Sequence, residues 1–185
     1  MPRCGETETI KHMAFSCEWV QQLRTIVLKE WWARSGDNRW TDRHGFGAAF
    51  FNDKVGPKAE IFDALNAITA HEGWKSRNKM LYEETPQLPP LAVANIVWTE
   101  MENTIVARLN KLHKQTNWWS HRETVELATP ELVLEKTEGI SKEMKEIASF
   151  LPQRAIPNAM VNIIGPIEPK VTTIDMEDFL SFVSI

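Results

Sequence analysis

The stretch LAVANIVWTEMENTIVARLNKL (91–112) decides the fold. Ala94, Val97, Met101, Ile105, Leu109 and Leu112 follow one another at three- and four-residue steps. Side chains at those steps share one face of an α-helix, and the Glu, Asn, Arg and Lys residues between them suit a face turned to water. This is the cleanest pattern in the chain, and it predicts a long amphipathic helix that needs partners for its apolar stripe.

The partners lie upstream. Cys17, Val20, Leu23, Val27 and Trp31 repeat the same steps. The polar turn Ser35-Gly36-Asp37-Asn38 should end this first helix. Residues 35–56 then read as a loop mixing aromatics with Gly, Asp and Asn. Pro57 suits the first position of a second helix, because its missing N–H is not needed there. Ile61, Leu65, Ile68 and Trp74 give that helix an apolar face, and it should run to about Glu83. PQLPP (86–90) is a stiff extended connector to the third helix. The three helices form one unit, with residues 57–118 as its two-helix segment.

Beyond Trp118-Trp119 the texture changes. A short helix is expected from Pro130 to Thr137, broken at Gly139, and another from Lys142 to Leu151 capped by Ser141. Four prolines between positions 152 and 172 predict extended chain or weak strand, and Asp175–Phe182 a last short helix. The expected fold is therefore mainly α: residues 1–34, a loop, a small helical bundle, and a mixed, partly extended tail over 119–185.

The chain has 185 residues, 43% of them hydrophobic and 25% charged, the balance of an ordinary single-domain protein. Trp is abundant at eight residues against a single Tyr. Residues 1–125 carry a net charge of +1 and residues 126–185 a net charge of −5. Neither part has the overall basic excess of a strong nucleic-acid binder, so any such binding must be a local patch that weakens with salt. No apolar run is long enough to cross a bilayer, and the N-terminus does not read as a signal peptide. Two cysteines are too few for a disulfide scaffold and suit a reducing, intracellular compartment.

Two blocks carry candidate chemistry. The first is Cys4, His12 and Cys17, spaced C-x7-H-x4-C at the start of the chain. Thiolates and imidazoles are zinc ligands, but a structural zinc site takes four. Read on the residues alone, two Cys and one His near a terminus are more often a small buried set. The second is WKSRNK (74–79), where Lys75, Arg77 and Lys79 surround Trp74. Bases interleaved with an aromatic can grip a phosphate backbone and stack a base. The plainer reading, preferred on the residues alone, turns Trp74 and Asn78 to the core and leaves the charges in water. Asp63, Glu72, Glu83 and Glu84 nearby offset the field. Arg39, Arg43 and His44 form a second basic patch open to the same two readings.

The opening MPRC, followed by ETIKH (8–12) and Cys17, resembles the zinc-binding domain found downstream of the reverse transcriptase in non-LTR retrotransposons. That family shows C-P-x-C, then E-T-x-x-H, then four residues and C, then an amphipathic helix with Trp. Pro2, Cys4, Glu8, Thr9, His12 and Cys17 fall on the pattern, and Met1 stands where the family has its first Cys. The family's W-x-x-W-K-x-R-N block matches at Trp74, Lys75, Arg77 and Asn78, with His71 in place of the first Trp and Tyr82 as the following aromatic. The resemblance covers residues 1–115. It implies a structural zinc ion held by Cys4, His12 and Cys17, with a fourth ligand from water or a carboxylate such as Glu6. It also implies nucleic-acid binding, to RNA or single-stranded DNA, for which Trp74, Lys75, Arg77 and Lys79 are the candidate contacts read from the residues. Met1 at the first Cys position reads either as a fragment of a longer retroelement protein or as a decayed copy that lost that Cys.

Catalysis is not expected. No Asp-Asp pair of a polymerase palm occurs, and no Gly-rich phosphate loop or G-x-S-x-G. Three protein ligands plus water is the geometry of catalytic zinc, but no supporting base is evident. Two rival functions are a protein-interaction module presenting exposed Trp residues without metal, and a hydrolase built on a three-ligand zinc.

Overall fold

The computed structural model describes residues 9, 12, 16–36, 56–83, 85–124, 128–152, 155–158 and 160. The expectations for Cys4, for most of the 35–56 loop and for the chain beyond 160 lie outside these residues. The described residues form a mainly α structure of four helices, with no strand among them: α1 (Glu18–Ser35), α2 (Pro57–Tyr82), α3 (Pro90–Thr124) and α4 (Pro130–Ala148).

α3 is the spine. Its 35 residues span roughly 52 Å at the helical rise. All six residues of the predicted stripe are buried, together with Val93 and Trp98. The helix continues through Trp118-Trp119, six residues past position 118.

α1 packs Leu23, Val27, Leu28 and Trp31 inward, and Val20 is half-buried. It stops at Gly36, whose N–H still bonds the Trp32 carbonyl at 2.9 Å and whose φ of 64° then turns the chain out of the helix. α2 starts at Pro57 as expected and buries Ala59, Ile61, Phe62 and Leu65. Its inner face then turns polar through Thr69, Glu72, Ser76 and Arg77. Trp74 is not part of that face. It lies nine residues after Leu65, a rotation of about 180° at 3.6 residues per turn, and is 49% exposed.

The expected break at Gly139 does not occur. α4 is one helix of 19 residues running through Gly139 and Ser141. Its N-cap is Thr129, whose Oγ1 accepts a hydrogen bond from Leu132 N–H at 3.4 Å. A helical glycine costs about 1 kcal/mol against alanine. Val133 before Gly139 and Met144 and Ile147 after it are buried, and that packing offsets such a cost. α4 starts shortly after α3 and turns back along it, so that Glu143 meets Arg108. Phe150, Leu151, Ile156 and Met160 follow α4 into the same core. The segment after 119 thus supplies part of the bundle.

Two arginines tie the helices together at their edges. Arg34 donates from Nε to Glu30 (2.7 Å) and from an η nitrogen to Glu102 Oε1 (2.9 Å) and the Phe150 carbonyl (3.0 Å). Its guanidinium lies 4.3 Å from the centre of the Trp98 ring. Arg108 bridges Glu60 of α2 and Glu143 of α4. Burial opposes its charge, but the hydrogen bonds to Glu143 and Glu60 prevail and hold its pKa above the ordinary value. No described helix is long and apolar enough to cross a membrane.

Candidate functional site

Trp19 of α1 and Gly73 of α2, each close in sequence to one of the two blocks, face one another between the helices. Gly73 sits against α1: a β-carbon there would stand 3.6 Å from Leu23 Cδ2 and 3.9 Å from the Trp19 ring. Trp19 lies two residues after Cys17, and Gly73 immediately precedes Trp74. Trp19 Nε1 also donates to the Leu88 carbonyl at 3.0 Å, fastening the connector to the same place. A β-carbon at Gly73 would be in ordinary contact with both side chains, so α1 and α2 pack closely here without requiring a glycine.

At the start of α1, His12 and Cys17 are both buried. Their backbones are joined by Cys17 N–H to the His12 carbonyl at 2.9 Å, and His12 N–H donates to Thr9 Oγ1 at 3.0 Å. Cys17 is a free thiol at the N-cap of α1. The third expected ligand, Cys4, is outside the described residues. Among the described residues no group of three or more His, Cys, Asp or Glu gathers as a metal site. Imidazole and thiolate are both zinc donors, but a structural zinc site takes four ligands and His12 and Cys17 supply two donor types.

On α2, residues 71, 74, 75, 78, 79 and 82 follow helical steps along one side. His71, Trp74, Lys75, Lys79 and Tyr82 are exposed, Tyr82 most of all, and Asn78 is half-buried. The His71 and Trp74 ring centres are 6.3 Å apart. Lys75 Nζ reaches Glu72 Oε1 at 3.3 Å, and the same oxygen lies 3.2 Å from His71 Nδ1. Lys79 makes no ion pair among the described residues. Trp74 and Tyr82 lie two turns apart, about 12 Å along the axis.

The preferred reading of WKSRNK holds for Lys75 and Lys79, which stand in water, and fails at Trp74 and Arg77. Trp74, expected inside, faces water. Arg77, expected among the exposed charges and among the nucleic-acid contacts, is 6% exposed. It continues the polar inner face of Glu72 and Ser76 and does not belong to the outer one. Tyr82 and His71 complete the outer face. The i, i+4, i+8 spacing of Trp74, Asn78 and Tyr82 is the signal that places both aromatics on one side.

Compared with family models, with curated proteins and with solved structures, the chain matches none.

Proposed function

We propose that this chain is a non-catalytic nucleic-acid-binding module, derived from a reverse-transcriptase-associated zinc-binding domain, that holds RNA or single-stranded DNA on the outer face of α2. The observation that carries this reading is the exposure of Trp74 and Tyr82 on the same helical face as Lys75 and Lys79. Rings standing in water cost free energy unless they meet a ligand, and bases stack on such rings with little regard to sequence. The lysines supply the cations that a phosphate backbone displaces counterions to meet. The MPRC…ETIKH…C and WKSRN blocks support the ancestry, and Cys4, His12 and Cys17 are the ligands such a module would offer to a structural zinc.

The test is fluorescence anisotropy of labelled oligouridylate and oligothymidylate over a salt series. Trp74→Ala should weaken binding by about 1 kcal/mol or more, the lower end of the scale for one stacked base. Lys75→Gln with Lys79→Gln should flatten the salt dependence. Unchanged affinity in both variants, with helical circular dichroism intact, rejects the reading.

A second reading is favoured by a different observation. Leu81, Leu88 and Leu91 are exposed near the α2–α3 connector. Exposed aliphatic side chains at such a place suit a protein partner. Self-association in sedimentation, without salt-dependent nucleic-acid binding, would select it.

A further inference from the structure

The second half of α3 presents a face that neither block accounts for. From Asn103 to Arg122 the chain has no Asp or Glu, although acidic residues outnumber basic ones overall. The same twenty residues hold Arg108, Lys111, Lys114 and Arg122, with His113 and His121. Arg108 is occupied by Glu60 and Glu143. Lys111 and Lys114 are exposed and pair with no carboxylate among the described residues. Lys111, Gln115, Trp118 and Arg122 stand at i, i+4, i+7 and i+11, one stripe about 16 Å long, with Lys114 beside it.

The aromatic in this stripe is already built as a platform. Trp118 is 50% exposed. Trp119 meets it edge-on, with centroids 4.9 Å apart and planes at 81°. The Arg122 guanidinium lies 4.3 Å from the centre of the Trp118 ring. The ring is thus held by two neighbours while half of its surface still reaches water.

An ordinary solvated face explains this poorly. α4 shows what such a face looks like here, with Glu131, Glu135 and Glu138 mixed with Lys136, Lys142 and Lys145. The helix dipole favours cations in the last turn and so accounts for Arg122. It does not reach back to Lys111 and Lys114, or explain twenty residues without a carboxylate. A polyanion with flat groups matches all three features: cations in a row, no anions between them, and an exposed ring braced by an arginine.

We infer that the Lys111–Lys114–Trp118–Arg122 face of α3 is a binding surface for single-stranded nucleic acid, with the lysines on phosphates and a base stacked on Trp118. This surface is separate from the outer face of α2 and does not depend on it. A duplex keeps its bases stacked on one another and cannot supply the stacking contact, so the face should prefer single strands.

The experiment uses the full chain and labelled oligothymidylate, with a duplex of similar length as comparison, by anisotropy over a salt series. Trp118→Ala should weaken single-strand binding about five-fold or more, leave its salt slope unchanged, and leave duplex binding unchanged. Lys111→Gln with Lys114→Gln should reduce the slope of log affinity against log salt by about 1.4, at about 0.7 per phosphate contact on a single strand. Both variants keep the buried stripe, and circular dichroism checks the fold. Parent-like affinity and slope in both variants overturn the inference, as does an equal loss on single strand and duplex. Trp74→Ala and the Lys75/Lys79 variant run alongside. If only these lose affinity, the α3 inference falls and the α2 reading stands; if only the α3 variants do, the reverse holds.

Discussion

Trp31 of α1 stacks on Phe150, with ring centroids 4.8 Å apart and planes inclined by 23°. Phe62 of α2 meets the same indole at 4.9 Å, tilted by 57°. Trp31 is fully buried, so a single side chain joins α1 to α2 and to the turn after α4. Truncating a large buried aromatic removes its transfer free energy and leaves a cavity. Trp31→Ala should therefore cost about 3–5 kcal/mol, read as a fall in the urea midpoint. Removing residues 129–185 should be as damaging, since it takes away Phe150, Met144 and Ile147 together. A stable, cooperative domain left by that truncation would show that the core closes without them.

Gly139 and Gly36 make opposite predictions. Gly139 lies inside α4, has no atom within 4 Å of where a β-carbon would sit, and is not among the residues of positive φ. Gly139→Ala should stabilise the protein by about 0.4–1 kcal/mol, chiefly by restricting the unfolded chain. Gly36 ends α1 in the left-handed region at φ 64°. Gly36→Ala should cost about 1 kcal/mol, the scale of the left-handed penalty for a side chain. Paired thermal melts check both, and the same sign for the two would contradict the backbone geometry.

What the sequence revealed depended on how well one-dimensional spacing reports packing. The α3 stripe was fully legible, because six apolar residues at helical steps admit one reading. The α1 face was legible for the same reason, and the Pro57 start of α2 because a proline at the first helical position gives up no hydrogen bond. Gly139 misled, because a local breaking tendency worth about 1 kcal/mol is outweighed by packing of residues on either side, which local sequence does not display. The α2 outer face misled differently. Trp74 was expected inside by its hydrophobicity and Arg77 outside by its charge. The inner face of α2 instead turns polar beyond Leu65, with Gly73 against Leu23 and Trp19. Only the partner helix shows that, and residues of α1 lie about fifty positions away in sequence.

Asp63 predicts a pH dependence of stability. Its carboxyl is held above the ordinary range, first by burial and second by the charge of Glu60. Its Oδ1 is buried without a hydrogen-bond partner among the described residues. The folded state therefore binds this proton more tightly than the unfolded chain does. The contribution favours folding below the ordinary carboxylate pKa and is lost as pH rises through the folded value. At neutral pH the ionised group is a penalty. Asp63→Asn should raise stability at pH 7 by less than about 1 kcal/mol, the scale for charges that water still reaches. The gain should fade below about pH 4, where the carboxyl is protonated in either state. Urea midpoints at the two pH values measure it, and a loss of stability at neutral pH would sink the idea.

Metal removal separates the proposed zinc site from the bundle. Small zinc domains unfold without their ion because binding free energy is their folding free energy. Here Leu23, Val27 and Trp31 anchor α1 through contacts with the common core, none of which passes through a ligand. A chelator should leave the helical circular dichroism and the melting temperature nearly unchanged. Cobalt added to the protein should give tetrahedral absorption with thiolate charge-transfer bands, and Cys17→Ser should abolish the bands while preserving the helices. Replacing Met1 by Cys behind a short leader restores the four-ligand pattern of the resembled family and should tighten cobalt binding. Tetrahedral bands in neither version would reject zinc as part of this chain. Loss of helix on chelation would mean instead that the metal organises α1, and that the packing around Trp31 is insufficient without it.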